Sequence, residues 1–81
     1  MGASQKIIKV LGPGCANCRK LAENVRKAVE ELQVPARVEK VTDIGAMTTY
    51  GILMTPALVV DEQVKLSGRV PSVEELKELL A

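Results

Sequence analysis

The sequence predicts an α/β domain in which a four-stranded mixed sheet carries three helices, in the order βαβαββα. Short apolar runs of strand length alternate with segments whose apolar residues recur at helical spacing. An initial strand–helix–strand unit requires parallel pairing through a right-handed crossover. Near the end, two apolar runs separated by Asp61-Glu62 indicate an antiparallel hairpin. Together these features place helices on both faces of one sheet in a chain of 81 residues.

The first strand is predicted over Lys6 to Leu11, after a flexible start at residues 1–5. Its branched aliphatic side chains are nearly continuous, which is typical of a central strand buried on both faces. The strand ends at Gly12-Pro13-Gly14, because proline lacks the donor that a sheet ladder needs.

The first helix is predicted from about Cys15 to Gln33, and Pro35 prevents it from continuing. Its apolar residues repeat at intervals of three and four positions and form one face. That face consists of Cys18, Leu21, Val25, Ala28 and Leu32.

A second strand and a short second helix follow. The strand is predicted over Ala36 to Val41 and the helix over Ile44 to Tyr50, with Thr42 or Asp43 as its N-cap. Gly51 is the expected C-terminal stop of this helix.

The last part of the chain is predicted to form the hairpin and the third helix. Thr55-Pro56 leads into a strand over Ala57 to Val60, and its partner covers Gln63 to Leu66. Ser72 and Glu75 fit a capping box, in which each side chain satisfies a backbone donor of the other residue. The apolar face of the third helix is then formed by Val73, Leu76, Leu79 and Leu80.

Composition excludes several classes of partner. The net charge is +1, the signs are interleaved, and Tyr50 is the single aromatic residue, which argues against nucleic acid. The longest apolar runs are far shorter than the roughly 18–20 residues of a membrane span. The start lacks the pattern of a secretory signal, so the protein is expected in the cytoplasm.

The two cysteines, Cys15 and Cys18, are three positions apart at the start of the first helix. Thiols at this spacing either cycle between dithiol and disulfide or bind a soft metal such as copper(I) or zinc. A tetrahedral zinc site needs four ligands, whereas this chain has no histidine and no second cysteine pair. A metal carrier or a non-enzymatic adaptor remains the alternative to a redox enzyme.

Position in the helix predicts different reactivities for the two thiols. The nucleophile in disulfide exchange is the thiolate, and a helix N-terminus stabilises negative charge. Cys15 lies at that end and is expected to ionise more readily than an ordinary cysteine, whereas Cys18 lies one turn further on the apolar face. Arg19 and Lys20 are interpreted as a solvated helix face.

The combination of Cys15-Ala16-Asn17-Cys18 after the first strand with Thr55-Pro56-Ala57 about forty residues later resembles the thioredoxin fold. The chain is most similar to the compact, glutaredoxin-sized members found in archaea and bacteria, known as redox-active disulfide proteins. The resemblance extends from about Lys6 to Leu80 and implies a single thioredoxin-like domain over residues 6–81.

The resemblance implies a thiol–disulfide oxidoreductase that acts on a disulfide-containing protein. Cys15 would be the nucleophile and Cys18 the resolving thiol of a redox-active disulfide, with no bound cofactor or metal. Pro56 would follow a cis peptide bond, and the Thr55 backbone would pair with an extended substrate segment. The implied electron donor is a flavin-dependent thioredoxin reductase, and the protein is expected to be a monomer. The substrate-binding residues would be Thr55, Pro56, Gly14, Ala16 and Asn17.

The sequence departs from the thioredoxin pattern at several positions. Gly14 replaces the family's tryptophan before the first cysteine, and the first strand carries Lys6 and Lys9 where thioredoxins keep a buried acid. For three other residues that could take part in binding, we predict a packing role instead. Tyr50 is predicted to be a packing residue at the end of the second helix, and the core is predicted to include Met47 and Met54.

Overall fold

The computed structural model describes residues 5–14 and 16–80, so most of the predicted flexible start at residues 1–5 lies outside the described residues, as does Cys15. The predicted fold is confirmed: a four-stranded mixed sheet with three helices in the order βαβαββα. The elements are β1 (Lys6–Leu11), α1 (Ala16–Leu32), β2 (Ala36–Val41), α2 (Ile44–Thr49), β3 (Ala57–Val60), β4 (Gln63–Ser67) and α3 (Val73–Leu80).

The strands lie in the order β2-β1-β3-β4. β1 pairs in parallel with β2, with Val10 opposite Lys40, and antiparallel with β3, with Leu11 opposite Ala57. β3 and β4 form the predicted hairpin. In its turn, Asp61 and Glu62 have φ values of 49° and 70°, the left-handed pair that matches the twist of two-residue hairpins.

One face of the sheet packs against α1 and α3. The predicted apolar face of α1 is buried at Cys18, Leu21, Val25 and Ala28, and Leu32 is partly buried. Asn24 Nδ2 donates a hydrogen bond of 3.0 Å to the Pro71 carbonyl and so ties α1 to the loop before α3. We call this the major core, with the buried residues Ile8, Val10, Leu21, Ala22, Val25, Ala28, Leu58, Val60, Leu66, Leu76 and Leu80.

The opposite face is covered by the much shorter α2. We call its apolar cluster the minor core, which consists of Leu11, Met47, Ala57 and Val59. Tyr50 packs against this cluster from the end of α2, as predicted. Met47 is a core residue, also as predicted.

The predicted ends of the elements are close to those observed. Gly45 N–H donates to Asp43 Oδ1 at 3.1 Å, so Asp43 is the N-cap of α2. Tyr50 is the C-cap of this helix rather than its last residue. α1 ends one residue before the predicted Gln33, which has a left-handed φ of 55°.

The predicted capping box of α3 is only half formed. Glu75 N–H donates to Ser72 Oγ at 3.2 Å, which is the expected cap. The Glu75 carboxylate instead pairs with both terminal nitrogens of Arg69, at 3.0 Å for Nη1 and Oε1 and more closely for Nη2 and Oε2. The pair with Arg69 is bidentate and uses both carboxylate oxygens, whereas a capping box would give the carboxylate one hydrogen bond, from the Ser72 N–H.

Within residues 5–14 and 16–80, no helix combines the length and the apolar character that crossing a membrane requires.

Candidate active site

Cys18 lies in the first turn of α1 with its side chain turned into the domain. Only 6% of the residue is exposed. This position follows from the apolar face of the helix, on which Cys18 is the first member. Cys15 lies outside the described residues, so its role as the accessible thiol stays a prediction.

Gly12 connects β1 to this thiol. Its N–H donates to the Val41 carbonyl at 2.9 Å, which extends the ladder between β1 and β2 by one bond. A Cβ at Gly12 would lie 2.2 Å from Cys18 Sγ and 3.7 Å from Thr55 Cβ. Glycine is therefore required by close approach, and three elements meet at this residue. We did not predict Gly12 as a site residue, although a glycine directly after a buried strand is a known signal of such an approach.

Thr55 and Pro56 form the loop that enters β3 beside Gly12. The peptide bond between them is cis, as the resemblance implies. Thr55 is exposed and Pro56 is buried, and the Pro56 carbonyl accepts a hydrogen bond of 2.8 Å from Gly68 N–H. The predicted loop and the predicted resolving thiol are thus neighbours, since Thr55 and Cys18 both lie within 4 Å of the place of a Gly12 Cβ.

Two apolar side chains before this loop face solvent. Leu53 is 96% exposed and Met54 is 62% exposed, so the prediction that Met54 fills the core is wrong. A Cβ at Gly68 would lie 3.2 Å from Met54 Cβ, so Met54 packs over a glycine at the surface. An exposed apolar surface therefore adjoins Thr55.

The other predicted substrate-binding residues lie at the start of α1. Gly14, Ala16 and Asn17 are all exposed. Gly14 has a φ of +92°, a left-handed conformation that favours glycine and explains its place before the helix.

A cavity of about 150 Å³ opens between α1 and the ends of β1 and β2. Two of its lining residues, Arg19 and Lys40, are cationic, and we call it the basic cavity. Sequence reasoning missed it, because the register that sets Lys40 beside Val10 is not visible in the sequence. Its lining residues are Val10, Gly12, Gly14, Cys18, Arg19, Lys40 and Thr42.

A polar cluster of Lys9, Tyr50 and Glu62 crosses the face of the sheet next to the minor core. Lys9 Nζ donates to Tyr50 Oη at 2.8 Å and to Glu62 Oε1 at 3.2 Å, and Tyr50 Oη donates to Glu62 Oε2 at 2.6 Å. The Tyr50 hydrogen bond, followed by that of Lys9, lowers the pKa of Glu62. The hydrogen bonds to Tyr50 and then Glu62 raise the pKa of Lys9. The cluster joins the end of α2, the middle of β1 and the hairpin turn.

Among the residues that the structure describes, no three or more histidine, cysteine, aspartate or glutamate side chains are grouped as a metal site. Cys15 is not one of these residues. Metal binding by the cysteine pair therefore stays a prediction.

Similarity to known proteins agrees with this geometry. The family model described as thioredoxin domain matches residues 6–81. A protein of Methanocaldococcus jannaschii named thioredoxin is 42% identical over 74 residues, which cover 91% of this chain and 85% of that protein. A protein of Methanothermobacter thermautotrophicus with the same name is also 42% identical over 74 residues, covering 91% of this chain and 96% of that protein. The chain therefore belongs to the thioredoxin family of redox proteins.

Proposed function

We propose that the chain is a thiol–disulfide oxidoreductase that reduces or exchanges disulfides of a protein partner through Cys15 and Cys18. The observation that carries the proposal is the burial of Cys18 in the first turn of α1, against Gly12 and beside the Thr55-Pro56 loop. A buried second thiol suits a two-step exchange, because it can attack the adjacent mixed disulfide but is hardly accessible to disulfides in solution.

The exchange would proceed in two displacements. The Cys15 thiolate attacks one sulfur of the partner disulfide and forms a mixed disulfide, while the other partner sulfur leaves as a thiolate that takes up a proton. Cys18 then loses its proton and attacks the Cys15 sulfur, which releases the second partner thiol. Two electrons pass from the cysteine pair to the partner, and the pair ends as a disulfide.

The surface around Thr55 supports a protein as the substrate. Leu53 and Met54 are exposed apolar side chains directly before Thr55, which is itself exposed. We propose that an extended partner segment lies along this surface and pairs with the Thr55 backbone. Pro56 supports the loop from the buried side. Gly14, Ala16 and Asn17 would contact the partner from the start of α1.

The proposal extends to the surrounding pathway. The relatives named thioredoxin favour a flavin-dependent thioredoxin reductase as the electron donor. The cysteine pair would serve without a bound cofactor, in a monomer, with neither nucleic acid nor a membrane as partner. A reducing compartment such as the cytoplasm suits a dithiol that is regenerated after each cycle.

The two cysteine variants test the proposal. With a synthetic peptide that carries an activated disulfide, Cys18→Ser is expected to accumulate a stable mixed disulfide, because the resolving thiol is gone. Cys15→Ser is the matched control and should trap little peptide, because Cys18 is buried. Equal trapping by the two variants, or trapping mainly by Cys15→Ser, would contradict the assigned roles.

Metal analysis of the purified protein distinguishes the alternative of a metal carrier. The oxidoreductase proposal predicts no stoichiometric copper or zinc in protein purified without chelators. Stoichiometric metal that Cys15→Ser and Cys18→Ser both lose would support the carrier instead, since thiolates are strong ligands for both metals.

A further inference from the structure

We infer that the basic cavity binds the anionic group of a small thiol and directs that thiol to the cysteine pair. The inference rests on the proposed function, because it names a second class of molecule that exchanges with the same disulfide. It concerns a surface other than the apolar one at Leu53 and Met54.

Charge is the first argument. Arg19 and Lys40 both line the cavity, and none of the lining residues that the structure describes is acidic. In the part of the chain that the structure describes, the side chains of Arg19 and Lys40 form no ion pair and no hydrogen bond, so their charges are not neutralised by a carboxylate. Two unneutralised cations beside one recess raise the local concentration of anions.

Position is the second argument. The cavity lies outside the carboxyl ends of the parallel strands β1 and β2, where open α/β sheets bind their ligands. The Thr42 hydroxyl adds a neutral donor, and Gly14, where a Cβ would have no atom within 4 Å, leaves its backbone uncovered by side chains. Because α1 has 17 residues, the positive end of its dipole also favours an anion near its start.

The size of the cavity limits the part of a ligand that can lie inside it. The cavity has a volume of about 150 Å³. Pockets for drug-sized ligands start at about 300 Å³. The cavity therefore suits a carboxylate or a similar anionic group on a short carbon chain.

Access to the redox site is the third argument. Cys18 is a lining residue, so a ligand in the cavity lies next to this thiol of the proposed pair. The cavity is on the β2 side of β1, whereas the Thr55-Pro56 loop enters β3 on the other side. A small thiol and a protein segment would thus approach the pair from different sides.

The chemistry balances as two thiol–disulfide exchanges. The thiolate of the small molecule attacks one sulfur of the Cys15–Cys18 disulfide, whose bond breaks as the other cysteine leaves as a thiolate. A second small thiolate attacks the mixed disulfide and releases the small molecule as its own disulfide. Two electrons enter the cysteine pair, which takes up protons according to the pH.

The test compares how fast three thiols of similar size reduce the oxidised protein: 3-mercaptopropionate, 2-mercaptoethanol and cysteamine. Each rate constant is expressed per thiolate. It is then divided by the rate constant for the reaction of the same thiol with a small, uncharged disulfide, so that differences in the intrinsic reactivity of the three thiols cancel. At low salt we expect the anionic thiol to be favoured over the cationic thiol by about tenfold, the lower end of electrostatic steering. High salt should abolish most of this preference.

The variants locate the effect. Arg19→Gln/Lys40→Gln should remove the preference for the anionic thiol while the rate with 2-mercaptoethanol stays within about twofold. Lys20→Gln/Lys27→Gln is the matched control: it removes the same charge from exposed positions of α1 that do not line the cavity. An equal loss of preference in both double variants would overturn the inference, because the effect would then come from net charge.

A binding measurement separates this inference from the proposed function. Propionate, which cannot react, is expected to cause saturable shifts of the Gly12, Gly14 and Thr42 amide resonances, and Arg19→Gln/Lys40→Gln should abolish them. Absence of these shifts in the native protein would overturn the cavity as an anion site even if all three thiols reduce the disulfide. If the shifts occur but no thiol reduces the protein, the directing role fails together with the proposed exchange, and anion binding alone stands.

Discussion

The two faces of the sheet are built very differently. The major core joins 17 residues of α1 and 8 of α3 to the sheet and contains no buried polar residue in the described chain. The minor core lies under the 6 residues of α2 and gives way at its edge to the polar cluster of Lys9, Tyr50 and Glu62. Burial of aliphatic area is the main source of stability, so most of it comes from the major core.

The candidate active site lies where these two faces meet. Cys18 belongs to α1, the helix that covers the major core. The Thr55-Pro56 loop instead connects α2, which covers the minor core, to β3. We interpret the division as a rigid support for the thiol and a less strongly held loop for the partner. Elements with few buried apolar contacts open locally at lower free energy than the rest of a domain.

The largest expected difference between the faces concerns core truncation. Leu76→Ala in the major core should lower the free energy of unfolding by about 3–5 kcal/mol, because its side chain is fully buried. Met47→Ala in the minor core should cost about 2 kcal/mol or less, since a short helix at the surface can close the gap. Denaturant titrations of both variants measure this. A cost at Met47 equal to that at Leu76 would break the comparison.

Gly12→Ala probes the junction between the faces. The added Cβ would lie 2.2 Å from Cys18 Sγ, so the Cys18 side chain, α1 or β1 must shift, at a cost of about 1–3 kcal/mol. Gly45→Ala in α2 is the control, because its Cβ would meet only the Asp43 carboxylate at 3.5 Å and should raise stability by up to about 1 kcal/mol. Thermal unfolding compares the two variants. An unchanged melting temperature for Gly12→Ala would show that Gly12 and Cys18 are not closely packed.

The helix caps offer a finer comparison. Ser72→Ala removes the acceptor for Glu75 N–H and should cost about 1 kcal/mol of global stability, because α3 belongs to the major core. Asp43→Ala removes the acceptor for Gly45 N–H. We expect it to increase amide exchange within α2 while global unfolding changes by less than for Ser72→Ala. Equal global losses would show that α2 unfolds only with the whole domain.

The smallest expected effect is the response to acid. The pKa values of Glu62 and Glu75 are both lowered from 4.5, chiefly by hydrogen bonds from Tyr50 and Arg69 respectively. Each carboxylate therefore stabilises the fold above pH 4.5, and this contribution is lost as the pH falls through the lowered pKa. Glu62→Gln and Glu75→Gln should each make stability less dependent on pH in this range. Glu74→Gln, at an exposed position in the same helix as Glu75, is the control, and an equal flattening there would contradict the assignment.

Sequence patterns predicted the elements better than the contacts between them. The alternation of apolar runs and the turn at Asp61-Glu62 are local signals, and they fixed the order of strands and helices. The exposure of Met54 depends on its packing over Gly68, which is 14 residues away along the chain. The Glu75 carboxylate pairs with Arg69 because the loop before α3 brings the two side chains together. Both outcomes depend on tertiary structure and not on a local pattern. The basic cavity escaped prediction for the same reason, since Lys40 reaches it only through the pairing of β1 with β2.

The most direct test of the account is the equilibrium between the Cys15–Cys18 dithiol and disulfide across defined redox buffers, read by alkylation and mass. We expect a reversible two-electron transition, with a midpoint near the roughly −270 mV of thioredoxin. Failure to form a reversible disulfide, or the need to remove a metal before one forms, would contradict the account and favour a metal-binding protein on the same fold.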